Sequence, residues 1–453
     1  MSATIDIPKP EDYDVSNISG FLPDSVPLTR LPSYYDAWEN TVAILPALLL
    51  SKRLRKIMQG MPVLEIDQLT TVNQQRRAYA ILGFLGHAYV WGNGAGSAVD
   101  QKAINHLPKC IADPWISVSE KIGLLPIATY AGLCLWNWQF IVPPAHDDSF
   151  GAEDSFEDFV DNIRTISTFT GSTDESWFYL VSVFFELRGA PCIPIGLRIL
   201  QACRDNDVNT VVDGLQELAE RIDELGSVLL KMEEMCDPHV FYFKLRPYLA
   251  GWKNMADSGL ADGVYYGDEK EPRVLSGGSN AQSSLIQFID LILNVNHSST
   301  GDNANDDTEN PFMSTMRQYM PKKHADFLVH LSKVNNLRSF VLENSSDYPE
   351  LILSYDAAVA MLLAFRDKHI RIVTRYIVIQ SAKASKMGSD TTKRAGLATT
   401  KKGDSDGELR GTGGTSLLPF LKQCRDETGN AAAGSWGKRI LSYKDSSRFT
   451  RKK

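Results

Sequence analysis

Apolar residues recur every three or four positions through most of this 453-residue chain, while alternating apolar–polar runs are scarce. That period marks helices that bury one face. It predicts helices over residues 34–61, 68–90, 116–138, 157–168, 176–187, 193–203, 211–235, 241–252, 283–293, 313–332, 334–342 and 356–379. An amphipathic helix over SLLPFLKQCRDE follows near the C-terminus, and a short extended pair fits only near residues 264–274. The expected fold class is all-α.

Three polar stretches break the pattern. PPAHDDSFGAEDSFE has no apolar period and reads as an interdomain linker over 142–157. It separates a small N-terminal helical domain, 1–141, from a large helical domain, 158–453. HSSTGDNANDDTEN, over 297–310, looks like a calcium loop only at first sight. Ala304 falls where the alternating oxygen ligands should continue, and no central glycine follows. Residues 382–410, a mixture of Lys, Ser, Thr and Gly, read as a mobile loop, and the tail after Thr428 as frayed.

Charge and composition narrow the functional classes. A net charge of −8 argues against a nucleic-acid binder or a membrane-surface protein. The acidic N-terminus lacks the apolar core of a secretory signal, and the run Val42–Leu50 is too short to cross a bilayer. The six cysteines are dispersed without a CxxC pair, which suits reduced thiols better than a disulfide frame or a zinc site. The expected location is cytoplasmic, with monomer as the default state.

Several side chains carry candidate chemistry. His369 lies in the apolar stripe of the 356–379 helix with Val359, Leu362, Phe365, Ile372, Val373 and Tyr376, and Arg366 stands one turn before it. A neutral imidazole there is either a hydrogen-bonded packing residue or an axial metal ligand. Arg246, in HVFYFKLRPYLAGW, needs a partner, because an unpaired buried charge is costly. That partner is either an internal carboxylate or the carboxylate of a ligand. Ser182, in SWFYLVSVFFEL, either back-bonds to the preceding turn or roofs a pocket; no nucleophile elbow surrounds it. The small-residue loops SGGSNAQSS and GTGGT cap helices and would let a flat group approach the backbone. The run Gly92-Asn93-Gly94-Ala95-Gly96 has no strand before it and reads as a turn between helices, not a nucleotide loop.

Taken together, LRPYLAGW, GGSNAQSS, RQYMPKKHADFL, FRDKHIRIVTRYIVIQ and GTGGT resemble the indoleamine 2,3-dioxygenase family, in the family's order and over nearly the whole chain. The resemblance implies one haem b per chain in the large domain, with the small domain covering its distal side. It implies His369 as the iron ligand, with Arg366 and Ser279 at the haem edge. Phe178 and Ser182 would roof the substrate, and Tyr130, Leu133 and Cys134 would line the deep end of the pocket. Phe241 would wall the indole, Arg246 would bind the substrate carboxylate, and Thr412 with a haem propionate would take its ammonium. The implied reaction inserts both atoms of O2 into the indole C2=C3 bond of L-tryptophan to give N-formyl-L-kynurenine, an entry to NAD supply. It needs an electron donor that keeps the iron ferrous. The alternative is an O2-binding or sensing haem protein of the same fold with little turnover. Asn280 and Pro247 depart from the family's usual residues, which puts affinity and turnover in question.

Overall fold

The computed structural model describes residues 5–92, 103–143, 156–297, 311–386 and 417–442. Helices dominate them, as expected. The only sheet structure among the described residues is two short ladders. His106–Leu107 pairs parallel with Tyr265–Tyr266, and Trp138–Phe140 antiparallel with Ile163–Thr165. The extended pair expected at 264–274 is therefore half right. Tyr265–Tyr266 finds its partner far upstream, and only an isolated bridge joins Val264 to Arg273.

Helices with strong termini appear close to where the period places them. Val72–Trp91 opens on a capping box, in which Thr71 Oγ1 accepts from the Gln74 N–H while the Gln74 side chain accepts from the Thr71 N–H. Thr173–Gly189 opens on Ser172, whose Oγ accepts from the Glu175 N–H. The helix expected from 356 begins earlier, as Pro349–Val373 with proline in its first turn, and passes through a wide turn, Thr374–Val378, into Ile379–Lys386.

Other segments break where proline or backbone conformation intervenes. The 34–61 stretch is three short helices, Asp36–Ala43, Leu45–Leu50 and Leu54–Gln59, with Pro46 in the first turn of the second. The expected 116–138 helix is Lys109–Ile122. It ends at Gly123, whose φ of 65° favours glycine, and Pro126 follows before a separate wide turn, Ala131–Leu135. The 157–168 helix stops after Phe156–Asp161 because Ile163–Thr165 joins a ladder. Pro321 divides 313–332 into Pro311–Arg317 and Lys322–Val334. From Thr428 to residue 442, where the described residues end, the chain is ordered rather than frayed. Ala431, Ala432 and Ala433 are buried, the Ala433 N–H donates to Asp356 at 2.7 Å, and Ser435–Leu441 is helical.

One apolar cluster runs from Val15 to Ala433. The long helix Pro349–Val373 lies along Val208–Leu230 and buries Leu351, Tyr355, Val359 and Leu362. Thr173–Asp205 is long and apolar enough to cross a membrane, a property that uninterrupted apolar runs did not reveal. Yet 72% of its apolar window is buried inside the protein, where it serves as core. A buried ion pair ties the N-terminal region to the chain after 156. Arg77 donates to both oxygens of Glu39, at 2.7 and 3.1 Å, and to Ser167 Oγ at 3.2 Å. All six cysteines are free and buried.

His87 joins two further segments. Its Nδ1 lies 2.7 Å from the Tyr248 carbonyl oxygen, and its Nε2 accepts from the Ala128 N–H at 3.1 Å. Burial lowers its pKa from 6.5 to about 4, only partly opposed by the bond to Tyr248. An unfolded chain takes up this proton near pH 6.5 while the folded one resists until about 4, so the stabilisation is present above 6.5 and lost as pH falls through that window. A glutamine at this position can donate to Tyr248 and accept from Ala128 without titrating. The His87→Gln variant is therefore expected to lose about 2–3 kcal/mol less stability than the parent between pH 6.5 and 4. Urea unfolding of both proteins across that range checks it, and parallel pH curves would refute it.

Candidate active site

A cavity of about 280 Å³ lies where the helix Thr173–Gly189, the segment Phe241–Leu249, the loop 278–283 and the helix Pro349–Val373 meet. It brings together Tyr130, Leu133, Cys134, Phe178, Ser182, Phe241, Arg246, Ser279, Arg366 and His369, every candidate that the described residues include. Thr412 lies outside the described residues.

Helical spacing explains much of this convergence. Phe178 and Ser182 are four apart on one face of the Thr173–Gly189 helix, and Arg366, His369 and Val373 follow one another at three and four on the long helix. The Ser182 hydroxyl makes the back-bond expected of a serine in mid-helix, donating to the Phe178 carbonyl, but at a long 3.4 Å. The Phe178 and Phe241 rings stand 5.0 Å apart and tilted, and Phe241 meets Tyr376 edge-on at 5.7 Å. Such packing fixes an aromatic wall.

Phe241 and Arg246 do not share the continuous helix expected over 241–252. Phe241–Leu245 forms a wide turn, and Arg246–Leu249 is a new helical turn with Pro247 at its second position. Proline lacks the N–H that a continuing helix would donate, so the turn before it widens. Pro247 thus shapes the backbone that presents Arg246. The guanidinium is 1% exposed and packs over the Tyr242 ring, 5.7 Å from its centroid. Burial lowers its pKa to about 10, with Tyr242 opposing the change, so the group stays cationic at neutral pH.

His369 borders the cavity directly, and neither ring nitrogen has a hydrogen-bond partner among the described residues. Burial, aided by the charge of Arg366, lowers its pKa to about 4. The imidazole is therefore neutral, with a lone pair uncommitted to the protein. The reading of a hydrogen-bonded packing histidine fails on this point. Such a lone pair is available to a metal ion.

Arg366 is firmly placed. Its Nη2 donates to both oxygens of Asp290, at 2.6 and 2.7 Å, and its Nη1 to Thr428 Oγ1 and the Cys424 carbonyl, at 2.5 and 2.6 Å. Burial works against the Asp290 charge, yet Arg366 and His297 hold the carboxyl below its ordinary range. Reading helix periods alone passes over Asp290, although a carboxylate inside LIQFIDLIL signals a buried cation partner. Glu186 is missed likewise. Its Oε1 accepts from Tyr130 OH at 2.9 Å and Ser283 Oγ at 2.7 Å, and burial pushes its pKa up to about 7. Behind the loop, Gly278 admits close packing, since a Cβ there would stand 2.7 Å from Leu133 Cδ1.

One cavity thus holds a neutral, uncommitted imidazole, an aromatic wall and a buried guanidinium. The profile of the family "Indoleamine 2,3-dioxygenase" matches residues 9–431. The chain belongs to the indoleamine 2,3-dioxygenase family. It is 44% identical over 439 residues to the indoleamine 2,3-dioxygenase of Saccharomyces cerevisiae, covering 93% of each chain. It is 38% identical over 427 residues to one from Aspergillus nanangensis, covering 93% of this chain and 96% of the other. A relative from Penicillium citrinum is 39% identical over 426 residues, covering 92% and 87%. Membership makes this an O2-incorporating oxidoreductase and agrees with the helical architecture.

Proposed function

We propose that this indoleamine 2,3-dioxygenase family member converts L-tryptophan and O2 to N-formyl-L-kynurenine, with one haem b held through His369. The observation that carries the proposal is the neutral His369 ring, without a hydrogen-bond partner among the described residues, on the wall of a cavity that also holds Arg246. The donor set fits the cofactor: one imidazole for iron, apolar side chains for the macrocycle, and Arg366 and Ser279 for its polar edge. Held by His369, ferrous haem would supply the O2 activation needed to insert both oxygen atoms into the indole C2=C3 bond.

The protein's own residues bind and orient. Phe178 and Phe241 pack on the indole, while Tyr130, Leu133 and Cys134 close the end of the pocket. Arg246 takes the carboxylate, and Thr412 the ammonium. Ser182 offers a hydroxyl beside the reacting ring but no strong base, so the acceleration on the protein side is positional. Asn280 also lines the cavity and adds an amide to its polar edge. We further place the protein in the cytosol as a monomer served by an external reductant, at the start of a route that feeds NAD supply. The oxygen-carrier reading is not favoured, because a carrier has no use for a buried guanidinium on the cavity wall.

Haem-loaded, reduced protein mixed with L-tryptophan and air should consume one O2 per tryptophan and develop the absorbance of N-formyl-L-kynurenine. A stable oxygenated spectrum without product would replace the enzyme with the carrier.

A further inference from the structure

A second group of ligating side chains reaches the cavity through His297 and Cys424. One ring nitrogen of His297, the Cys424 sulfur and a Glu427 carboxylate oxygen all lie within 4.8 Å of one another. Cys424 and Glu427 are three apart on the helix Leu417–Asn430, so they share a face, while His297 follows the helix Ser284–Ile292. Sequence spacing does not reveal this set, because His297 comes from a segment far from the other two.

We propose that His297, Cys424 and Glu427 form a binding site for a thiolate-preferring divalent cation of the zinc class, separate from the haem iron. The donor set is the first argument. Imidazole, thiolate and one carboxylate suit borderline-soft zinc, whereas calcium and magnesium demand oxygen donors in greater number. Three protein ligands leave the fourth tetrahedral position for water, and His297 and Cys424 face the cavity that can supply it.

The surroundings are the second argument. His297 Nδ1 lies 2.9 Å from Glu427 Oε2, and its Nε2 lies 3.3 Å from Asp290 Oδ2. A cation taking the Glu427 side of the ring would leave the Asp290 bond intact, and this is the carboxylate–histidine–metal relay that orients zinc ligands elsewhere. Asp290 is in turn gripped by Arg366, and the other Glu427 oxygen accepts from Gln423 Nε2 at 2.8 Å. The Arg366 charge beside the site is matched by its two-point pairing with Asp290. Before a metal binds, hydrogen bonds to Asp290, Cys424 and Glu427 favour a charged His297, against burial and Arg366. Binding must therefore displace protons, and affinity rises with pH. A bound cation would staple the helix Leu417–Asn430 to the segment after Ser284–Ile292.

The test uses haem-loaded protein, stripped of loose metal by chelator and dialysed against micromolar Zn2+. Elemental analysis should find one zinc per chain beside the haem iron. Zinc K-edge absorption should show one sulfur neighbour at about 2.3 Å and nitrogen or oxygen at about 2.0 Å. Cys424→Ser should remove the sulfur shell and weaken zinc at least tenfold, and Glu427→Gln should weaken it about tenfold with sulfur retained. Circular dichroism confirms that each variant is folded, and the partly exposed Glu427 position decides alone if the cysteine variant is not. No zinc uptake, a shell without sulfur in the parent, or uptake indifferent to Glu427→Gln would each overturn the site.

Discussion

Replacing His369 by alanine is expected to leave a folded protein that no longer holds haem. The side chain makes no hydrogen bond to the described residues and borders a void, so its loss leaves no buried polar partner stranded. Helical circular dichroism should match the parent. Haem affinity should fall by more than about 100-fold, since changes to groups that merely orient a metal ligand already cost 10–100-fold. Titration of the purified variant with haem, followed by its absorption band, gives the answer. A variant that binds haem as tightly as the parent, with the same band, removes His369 from the iron.

Arg246→Leu should separate binding of the amino acid from binding of the cofactor. Each charged hydrogen bond to a carboxylate is worth about 1.5–3 kcal/mol, and a two-point grip about 3–6 kcal/mol. The expected loss in kcat/KM for L-tryptophan is therefore about 10²–10⁴-fold, with the haem spectrum retained. Leucine preserves most of the buried volume beside Tyr242 and relieves the desolvation that depresses the guanidinium pKa, so thermal stability should not fall. Indole-3-propionic acid and tryptamine, which keep only the carboxylate or only the amine, sharpen the reading. The carboxylate should help the parent and not the variant. Unchanged kinetics, or haem loss in step with the kinetic loss, would deny Arg246 this task.

Helix type was legible because burying one face forces a 3.6-residue period on the sequence, and the Cys192–Asp205 and Val208–Leu230 helices display it. Interruptions were less legible. Pro46, Gly123 and Pro321 each end or divide a helix whose apolar pattern runs on across them. The wide turns at Ala131–Leu135 and Thr374–Val378 insert no distinctive residue type, so a period count passes through them.

The candidate site shows the same division. His369 and Arg246 stood out as titratable side chains among apolar neighbours, and both border the cavity. Asp290, Glu186 and His297 did not, because each is explained by a partner distant in the chain: Arg366, Tyr130 and Glu427. A buried charge announces that it needs a counterpart, but the sequence does not say which one. The resemblance supplied roles that no spacing could.

The imidazole of His87 acts as a latch. It fastens the stretch leading to Tyr130 onto the stretch carrying Phe241 and Arg246, and it can do so in one tautomer only, hydrogen on Nδ1 and lone pair on Nε2. Protonation would set two donors head to head at Ala128. The folded protein resists that protonation until about pH 4, and below it the two stretches lose their fastening at a single point.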